Sequence, residues 1–223
     1  MGTLYIVATP LGNMEDITLR AIRILGEVEI IACEDTRKTG LLLVKLGLKN
    51  ERRLISYYEE NEQRRIPQIV NFLKEDKSVA LVSNAGTPTI SDPGYKLVRE
   101  CLNQGIQVES IPGASSVLAA LTVSGLPTDR FLFLGFLPKK TGKRQKVFQS
   151  LPKETTIIFF ESPFRLLKTL NEIKDLFGDI DVVICRELTK VFEEIRREKI
   201  SASINYFIEI KPKGEFVILF HLS

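Results

Sequence analysis

The sequence predicts an α/β protein of two domains, the first with a mainly parallel five-stranded sheet and the second with a smaller mixed sheet. Three observations predict it. Short β-rich runs alternate with amphipathic helical stretches through the first half, as in successive βαβ units. A run of small and turn-forming residues, Pro112-Gly113-Ala114-Ser115-Ser116, interrupts this alternation near mid-chain. A second set of strand-like and helical runs follows, so the domains are read as 1–112 and 113–223.

In order, Leu4 to Ala8, Val28 to Ala32, Leu54 to Tyr57, Val79 to Ser83 and Val108 to Ile111 read as strands. Between them, Leu19, Ile22 and Leu25 recur every third residue, and Ile66, Ile69, Val70 and Leu73 fall at i, i+3, i+4 and i+7. Each pattern marks a helix with one buried face. Asp92 followed by Pro93 reads as a helix N-cap with proline at the first helical position. Past the break, a small-residue helix runs to about Gly125, and strands are expected at Phe131 to Leu134, Thr156 to Phe160, Asp181 to Cys185 and Glu215 to His221. A helix over Phe164 to Phe177 lines Leu166, Leu170, Ile173 and Phe177 along one core stripe, and the stretch from Cys185 to about Ile208 reads as helical.

With 44% hydrophobic residues in 223, the chain can bury one large core or two modest ones. A net charge of +3, from 31 Lys and Arg against 28 Asp and Glu, gives no global basic character, so an anionic partner must meet a local patch. One such patch stands out: Lys139, Lys140, Lys143, Arg144 and Lys146 fall within eight residues. Cys33, Cys101 and Cys185 are far apart with no C-x-x-C spacing, which argues against a disulfide framework or a structural zinc site. No metal is expected. The single histidine, His221, lies in the apolar run Phe216 to Leu222, where an ordinary strand residue is expected, and this removes most Ser-His-Asp, Cys-His and zinc mechanisms. With no basic leader and no apolar run of spanning length, a cytoplasmic protein is expected.

In an open parallel sheet, ligands sit beyond the carboxyl ends of the strands. Four of these ends carry small, polar or turn-forming residues: Thr9 to Asn13, Glu34 to Gly40, Ser83 to Gly94 and Pro112 to Ser116. Any one of them is explained by turn formation alone, but four on one sheet edge point to a small-molecule site. No G-x-G-x-x-G follows the first strand and no G-x-x-x-x-G-K-[ST] occurs, which leaves a dinucleotide or P-loop site unsupported.

The strings Ala8-Thr9-Pro10-Leu11-Gly12-Asn13, Glu34-Asp35-Thr36-Arg37, Ser83-Asn84-Ala85-Gly86-Thr87-Pro88, Ser91-Asp92-Pro93-Gly94 and Ile111-Pro112-Gly113 together resemble the tetrapyrrole methylase superfamily. Further strings, Gly125 to Arg130, Gly135 to Pro138, Arg186 to Lys190 and Lys213 to Glu215, look like its branch that methylates small-subunit ribosomal RNA. The resemblance covers essentially the whole chain. It implies a homodimeric enzyme that uses S-adenosylmethionine, folded into the cleft between its domains, to methylate the 2′-hydroxyl of a cytidine in the decoding region of 16S ribosomal RNA. Carried over, Leu11, Gly86, Thr87, Pro88, Ile90, Ser115, Ser116, Leu188 and Gly214 would bind the cofactor. The family usually has Asp where this chain has Asn84, and often His where it has Tyr58.

Methyl transfer from a sulfonium needs no acid on the leaving side, whereas a ribose hydroxyl gains from a base or a stabilising cation. Glu187 and Lys190, beside Leu188, are the candidates for that role, against the alternative of a plain ion pair on one turn. Lys139, Lys140, Lys143, Arg144 and Lys146, supported by Arg37 and Lys38, are the candidates for RNA phosphate contacts. Two alternatives stay open: a methylase of a small tetrapyrrole, and a non-catalytic RNA-binding or ribosome-assembly protein on the same fold.

Overall fold

The computed structural model describes residues 1–48 and 52–222. They form two compact units, Met1–Ser115 and Ser116–Ser223. The division follows Ser115 rather than Pro112 because the intervening turn is tied to the first unit: the Thr87 hydroxyl donates to the Ala114 carbonyl at 3.0 Å. The next helix turns Val117, Ala120 and Leu121 onto the second unit's sheet.

In the first unit, strands β1 (Leu4–Val7), β2 (Ile30–Cys33), β3 (Arg53–Ser56), β4 (Val79–Val82) and β5 (Val108–Ile111) make a wholly parallel sheet in the order β3-β2-β4-β1-β5. Four helices cover it: α1 (Leu19–Glu27), α2 (Thr36–Lys45), α3 (Glu62–Lys74) and α4 (Tyr95–Asn103). Thr18 caps α1, its hydroxyl accepting the Ala21 N–H, and Asp35 caps α2, its carboxylate accepting the Arg37 N–H. Buried residues of α1 and α2 (Ala21, Ile24, Leu25, Leu43) pack on one face, and those of α3 and α4 (Ile69, Val70, Leu73, Leu97, Cys101) on the other. The chain therefore leaves β1 towards one face and β4, its neighbour, towards the opposite face. That divergence is a topological switch point, where open α/β sheets bind ligands.

The second unit is also five-stranded. Strands β6 (Phe131–Phe136), β7 (Thr155–Glu161), β8 (Asp181–Arg186), β9 (Glu194–Lys199) and β10 (Phe216–Leu222) lie in the order β6-β7-β10-β8-β9, with only β6 and β7 parallel. Helix α5 (Ser116–Ser124) packs on one face, while α6 (Thr141–Gln149), α7 (Leu166–Phe177) and α8 (Ile200–Glu209) pack on the other.

Two local expectations are corrected. The stretch from Cys185 to Ile208 is not all helical: β9 occupies Glu194–Lys199, and α8 starts only at Ile200. As an edge strand, β9 carries charges on successive residues, so it shows no apolar alternation, and it blunts the sheet edge with Arg186, Glu194, Arg196 and Glu198 in one ion-pair chain. Asp92 and Pro93 do not start α4. The helix begins at Tyr95 with Gly94 at its N-cap, at φ +136°, where a Cβ would come within 2.6 Å of the Leu81 side chain. Only glycine fits there.

Candidate functional site

The four predicted loops of the first unit are bonded to one another, each of the other three to the loop that follows β4. From β2, a Glu34 carboxylate oxygen accepts the Asn84 N–H of the β4 loop at 2.9 Å. From β1, Thr9 and Gly86 exchange both backbone hydrogen bonds at 2.9 Å, a two-residue antiparallel bridge, and the Thr9 hydroxyl donates to the Ser83 carbonyl. Thr87 then reaches Ala114 beyond β5. The loop from Ser83 to Gly94 is thus the hub, and its bridge to Thr9 sits at the switch point between β1 and β4.

Gly86 lies at φ +78°, and a Cβ there would stand 3.2 Å from Leu11 Cδ2 and 3.9 Å from the Ala114 oxygen. The bare backbone lets the three loops come together here, with Leu11 and Ala114 lying against the space a side chain would need. Pro88 is buried, Leu11, Thr87 and Ser115 are half-buried, and Ile90 is exposed. Thr89 and Ser91 also take positive φ, +74° and +61°. For a β-branched threonine this conformation is strained, and it persists only where surroundings hold it.

Part of that hold is Glu62. Its carboxylate, almost fully buried, accepts the Tyr57 hydroxyl at 2.7 Å and the Gly94 N–H at 3.1 Å, and pairs with Lys96 at 2.8 Å. Burial pushes the carboxyl up, but Lys96, Tyr57 and the Gly94 N–H outweigh it and leave it below the usual glutamate value. Sequence reasoning missed this residue. A signal exists: Glu62 precedes Ile66, Ile69 and Leu73 by 4, 7 and 11 positions, so it lies on the buried stripe of α3. Asn84 is exposed, and Glu34, bonded to its N–H, keeps a carboxylate at this end of the sheet.

In the second unit, Glu187 and Lys190 do meet. Lys190 Nζ lies 2.9 Å from Glu187 Oε1 and 2.8 Å from Glu215 Oε2, and Glu187 Oε1 also accepts the Glu215 N–H at 2.9 Å. Glu187 crosses directly over Gly214, where a Cβ would fall 2.6 Å from its Cγ, so the glycine at φ +94° is required by this ion cluster. Burial raises the Glu187 carboxyl, yet Lys190 and the Glu215 N–H bring it below its ordinary value. For Lys190, burial lowers the ammonium pKa, and the two carboxylates more than reverse that. The pair therefore stays ionised at neutral pH. Such a carboxylate is a weak base, while Lys190 remains a full cation. Leu188 turns inward, buried with Val183, Cys185 and Val217.

The basic run spans a turn, with Lys139 and Lys140, and the helix α6, with Lys143, Arg144 and Lys146, and its members separate. Lys139, Lys140, Lys143 and Lys146 are exposed. Arg144 is 1% exposed and bidentate to Glu172 of α7, at 2.6 and 2.5 Å, with a further bond to the Pro138 carbonyl at 2.9 Å. As a buried structural ion pair it has no face for RNA, which corrects its expected role. Arg37 and Lys38 are exposed at the start of α2, with Arg37 pairing to Asp35. Among the described residues no His, Cys, Asp and Glu group is arranged to hold a metal, and no helix is long and apolar enough to cross a membrane.

The family model of the tetrapyrrole (corrin/porphyrin) methylases matches residues 3–203, and the chain belongs to that family. A Thermotoga maritima protein named ribosomal RNA small subunit methyltransferase I is 49% identical over 220 residues, 98% of each chain. One of the same name from Halalkalibacterium halodurans is 46% identical over 219 residues, covering 98% of this chain and 75% of that one. The solved structure of uroporphyrin-III C-methyltransferase from Thermus thermophilus, complexed with S-adenosyl homocysteine, superposes with a TM-score of 0.67 at 21% identity. It covers 98% of this chain and 97% of the other, and shares the fold.

Proposed function

We propose that this chain is a methyltransferase that uses S-adenosylmethionine to methylate small-subunit ribosomal RNA, at the 2′-hydroxyl of a cytidine in the decoding region, as a homodimer. The substrate reading is supported by relatives 43–49% identical over nearly the full chain that carry the name ribosomal RNA small subunit methyltransferase I. The cofactor reading rests on one observation, the bare backbone of Gly86 where the β1, β4 and β5 loops join, in a fold shared with a structure complexed with S-adenosyl homocysteine.

Leu11, Gly86, Thr87, Pro88, Ile90, Ser115 and Ser116 would hold the cofactor, with Thr87 fixed by its bond to Ala114. Bound there, it would supply an electrophilic methyl group on a sulfonium, which departs as a neutral thioether. The chain's own task is to orient the ribose hydroxyl and favour loss of its proton, which passes to solvent water as the oxygen bonds the methyl carbon. Lys190 serves as the cation that stabilises the developing alkoxide, and Glu187 orients Lys190 rather than taking the proton, as its lowered pKa fits. Exposed Arg37, Lys38, Lys139, Lys140, Lys143 and Lys146 meet phosphates.

The decisive experiment maps methylated nucleotides in 16S ribosomal RNA from cells with and without the protein, alongside cofactor titration by calorimetry. Loss of one 2′-O-methylcytidine on deletion, with restoration by the purified protein, is the expected result. An unchanged map with intact cofactor binding overturns the substrate reading, and absent binding overturns the cofactor reading. For Lys190, K190M is expected to slow single turnover on the order of 10²-fold at saturating RNA and cofactor. An unaltered rate removes it from the chemistry.

A further inference from the structure

Strands β6 and β7 are parallel and finish side by side, with Phe136 opposite Phe160. Two turns leave this end of the sheet, 137–140 into α6 and 162–165 into α7. Both are built on buried charges. Arg165 pairs with Glu161 at 2.7 Å and donates to the Leu137 carbonyl at 3.0 Å, which ties the two turns together. Glu161, 1% exposed, also accepts the Ser162 N–H and the Thr169 hydroxyl, each at 2.7 Å. From the other side, Arg144 holds the Pro138 carbonyl while locked to Glu172.

This braced scaffold presents aromatic rings to water. Phe164 is 93% exposed at the tip of one turn, and Phe136 is 59% exposed at the root of the other. The turn that follows Phe136 and the first turn of α6 carry exposed Lys139, Lys140 and Lys143, and the sequence from Phe131 to Lys153 contains no Asp or Glu. Leaving a phenylalanine in solvent forgoes about 1.5–3 kcal/mol of burial, so two rings left in solvent on one braced end of the sheet mark a surface with a partner. A second copy of the chain is disfavoured as that partner, because a two-fold contact would bring the lysines of both copies together with no acid in the 131–153 stretch to offset them. Cations beside an isolated Phe164 ring and a Phe136 ring that packs against Phe160 at 5.4 Å yet stays largely exposed match a single nucleic-acid strand, whose phosphates and unstacked bases need both.

We propose that the β6–β7 end of the second unit binds a single-stranded segment of RNA, one or two bases stacking on Phe164 and Phe136 and the flanking phosphates contacting Lys139, Lys140 and Lys143. The proposal rests on the reading of the chain as an RNA methylase and deepens it. Lysines alone bind any phosphate backbone, whereas rings reward bases that are free of a duplex, so the site selects an unpaired target region.

The test measures binding of the full chain to a short fluorescein-labelled oligoribonucleotide, single-stranded and annealed to its complement, across a salt series. F164A is expected to weaken single-strand binding about 5- to 100-fold, with duplex binding, salt slope and calorimetric cofactor affinity unchanged, and F164W is expected to restore it. K139Q/K140Q/K143Q should instead flatten the salt slope by about 2, at roughly 0.7 for each phosphate that is no longer neutralised. Equal single-strand affinity of F164A and the unaltered chain overturns the proposal, as does an equal loss on the duplex. A shift of F164A from dimer to monomer in light scattering overturns it too, assigning the ring to a second copy. If the unaltered chain binds cofactor but neither methylates nor binds RNA, the underlying reading fails as well; if it methylates RNA and F164A binds normally, only the stacking site fails.

Discussion

Replacing Arg144 by Met tests whether this residue supports the fold rather than the substrate. Its guanidinium is 1% exposed and gives two bonds to Glu172, itself about nine-tenths buried, and others to the Pro138 and Lys139 carbonyls. Removing one partner of a buried pair leaves the other charge without compensation, which costs about 3–5 kcal/mol. For a chain of this length each kcal/mol lowers Tm by about 2–4 °C, so R144M should melt about 6–20 °C lower. R144M/E172M removes both charges, and replacing a buried pair by apolar groups is often neutral, so the double variant should regain most of the loss. Thermal melting followed by circular dichroism measures both. An R144M melt within about 2 °C of the parent, equivalent to at most about 1 kcal/mol, refutes the argument. So does a double variant as unstable as the single one. The double variant also isolates the RNA question: its salt slope should equal the parent's, and a slope lower by about 0.7 would make Arg144 a phosphate contact after all.

Three further outcomes follow from the first unit and the ion cluster. Glu62→Ala should lower stability by about 2–3 kcal/mol and weaken S-adenosylmethionine binding in calorimetry, since Tyr57 and the Gly94 N–H lose their acceptor; Glu62→Gln, which keeps an acceptor oxygen, should retain most of both. Gly86→Ala places a Cβ at φ +78° and 3.2 Å from Leu11, so about 1–2 kcal/mol of strain and a clear loss of cofactor affinity are expected, while unchanged affinity would separate Gly86 from the site. Because Glu62 and Glu187 have lowered folded pKa values, their stabilisation is complete above the unfolded glutamate value of about 4.3 and disappears as pH falls from there through the folded values. Urea midpoints should therefore stay level near neutrality and drop below about pH 4.3, less steeply in E62Q/E187Q; identical acid profiles would contradict the assigned shifts.

The alternation of β-rich and amphipathic runs was enough to locate all five strands of the first sheet to within a residue or two, because buried parallel strands read as short apolar runs bounded by turns. β9 was hidden, since an exposed edge strand has no apolar period to reveal it. The basic run was legible as charge and not as structure: nothing local distinguishes Arg144 from Lys143, and only the opposing Glu172, 28 residues along the chain, buries one and leaves the other in water. Glu187 and Lys190 were paired by spacing, but the third member, Glu215, and the glycine that makes room for them come from a distant turn.

By itself the sequence determined the fold class, the alternation of elements, the resemblance to a methylase family and the four loops that could carry a ligand, because each of these is written in local patterns of a few residues. Only the tertiary structure decided what those loops are to one another: the bridge from Thr9 to Gly86 at the switch point, the bond from Thr87 to Ala114, and the buried Glu62 beneath Gly94. It likewise decided which charges face solvent and which rings stand beside them. The physical reason is that strand order and burial are set by contacts between segments far apart in the chain, and no local pattern records which distant groups a residue will meet.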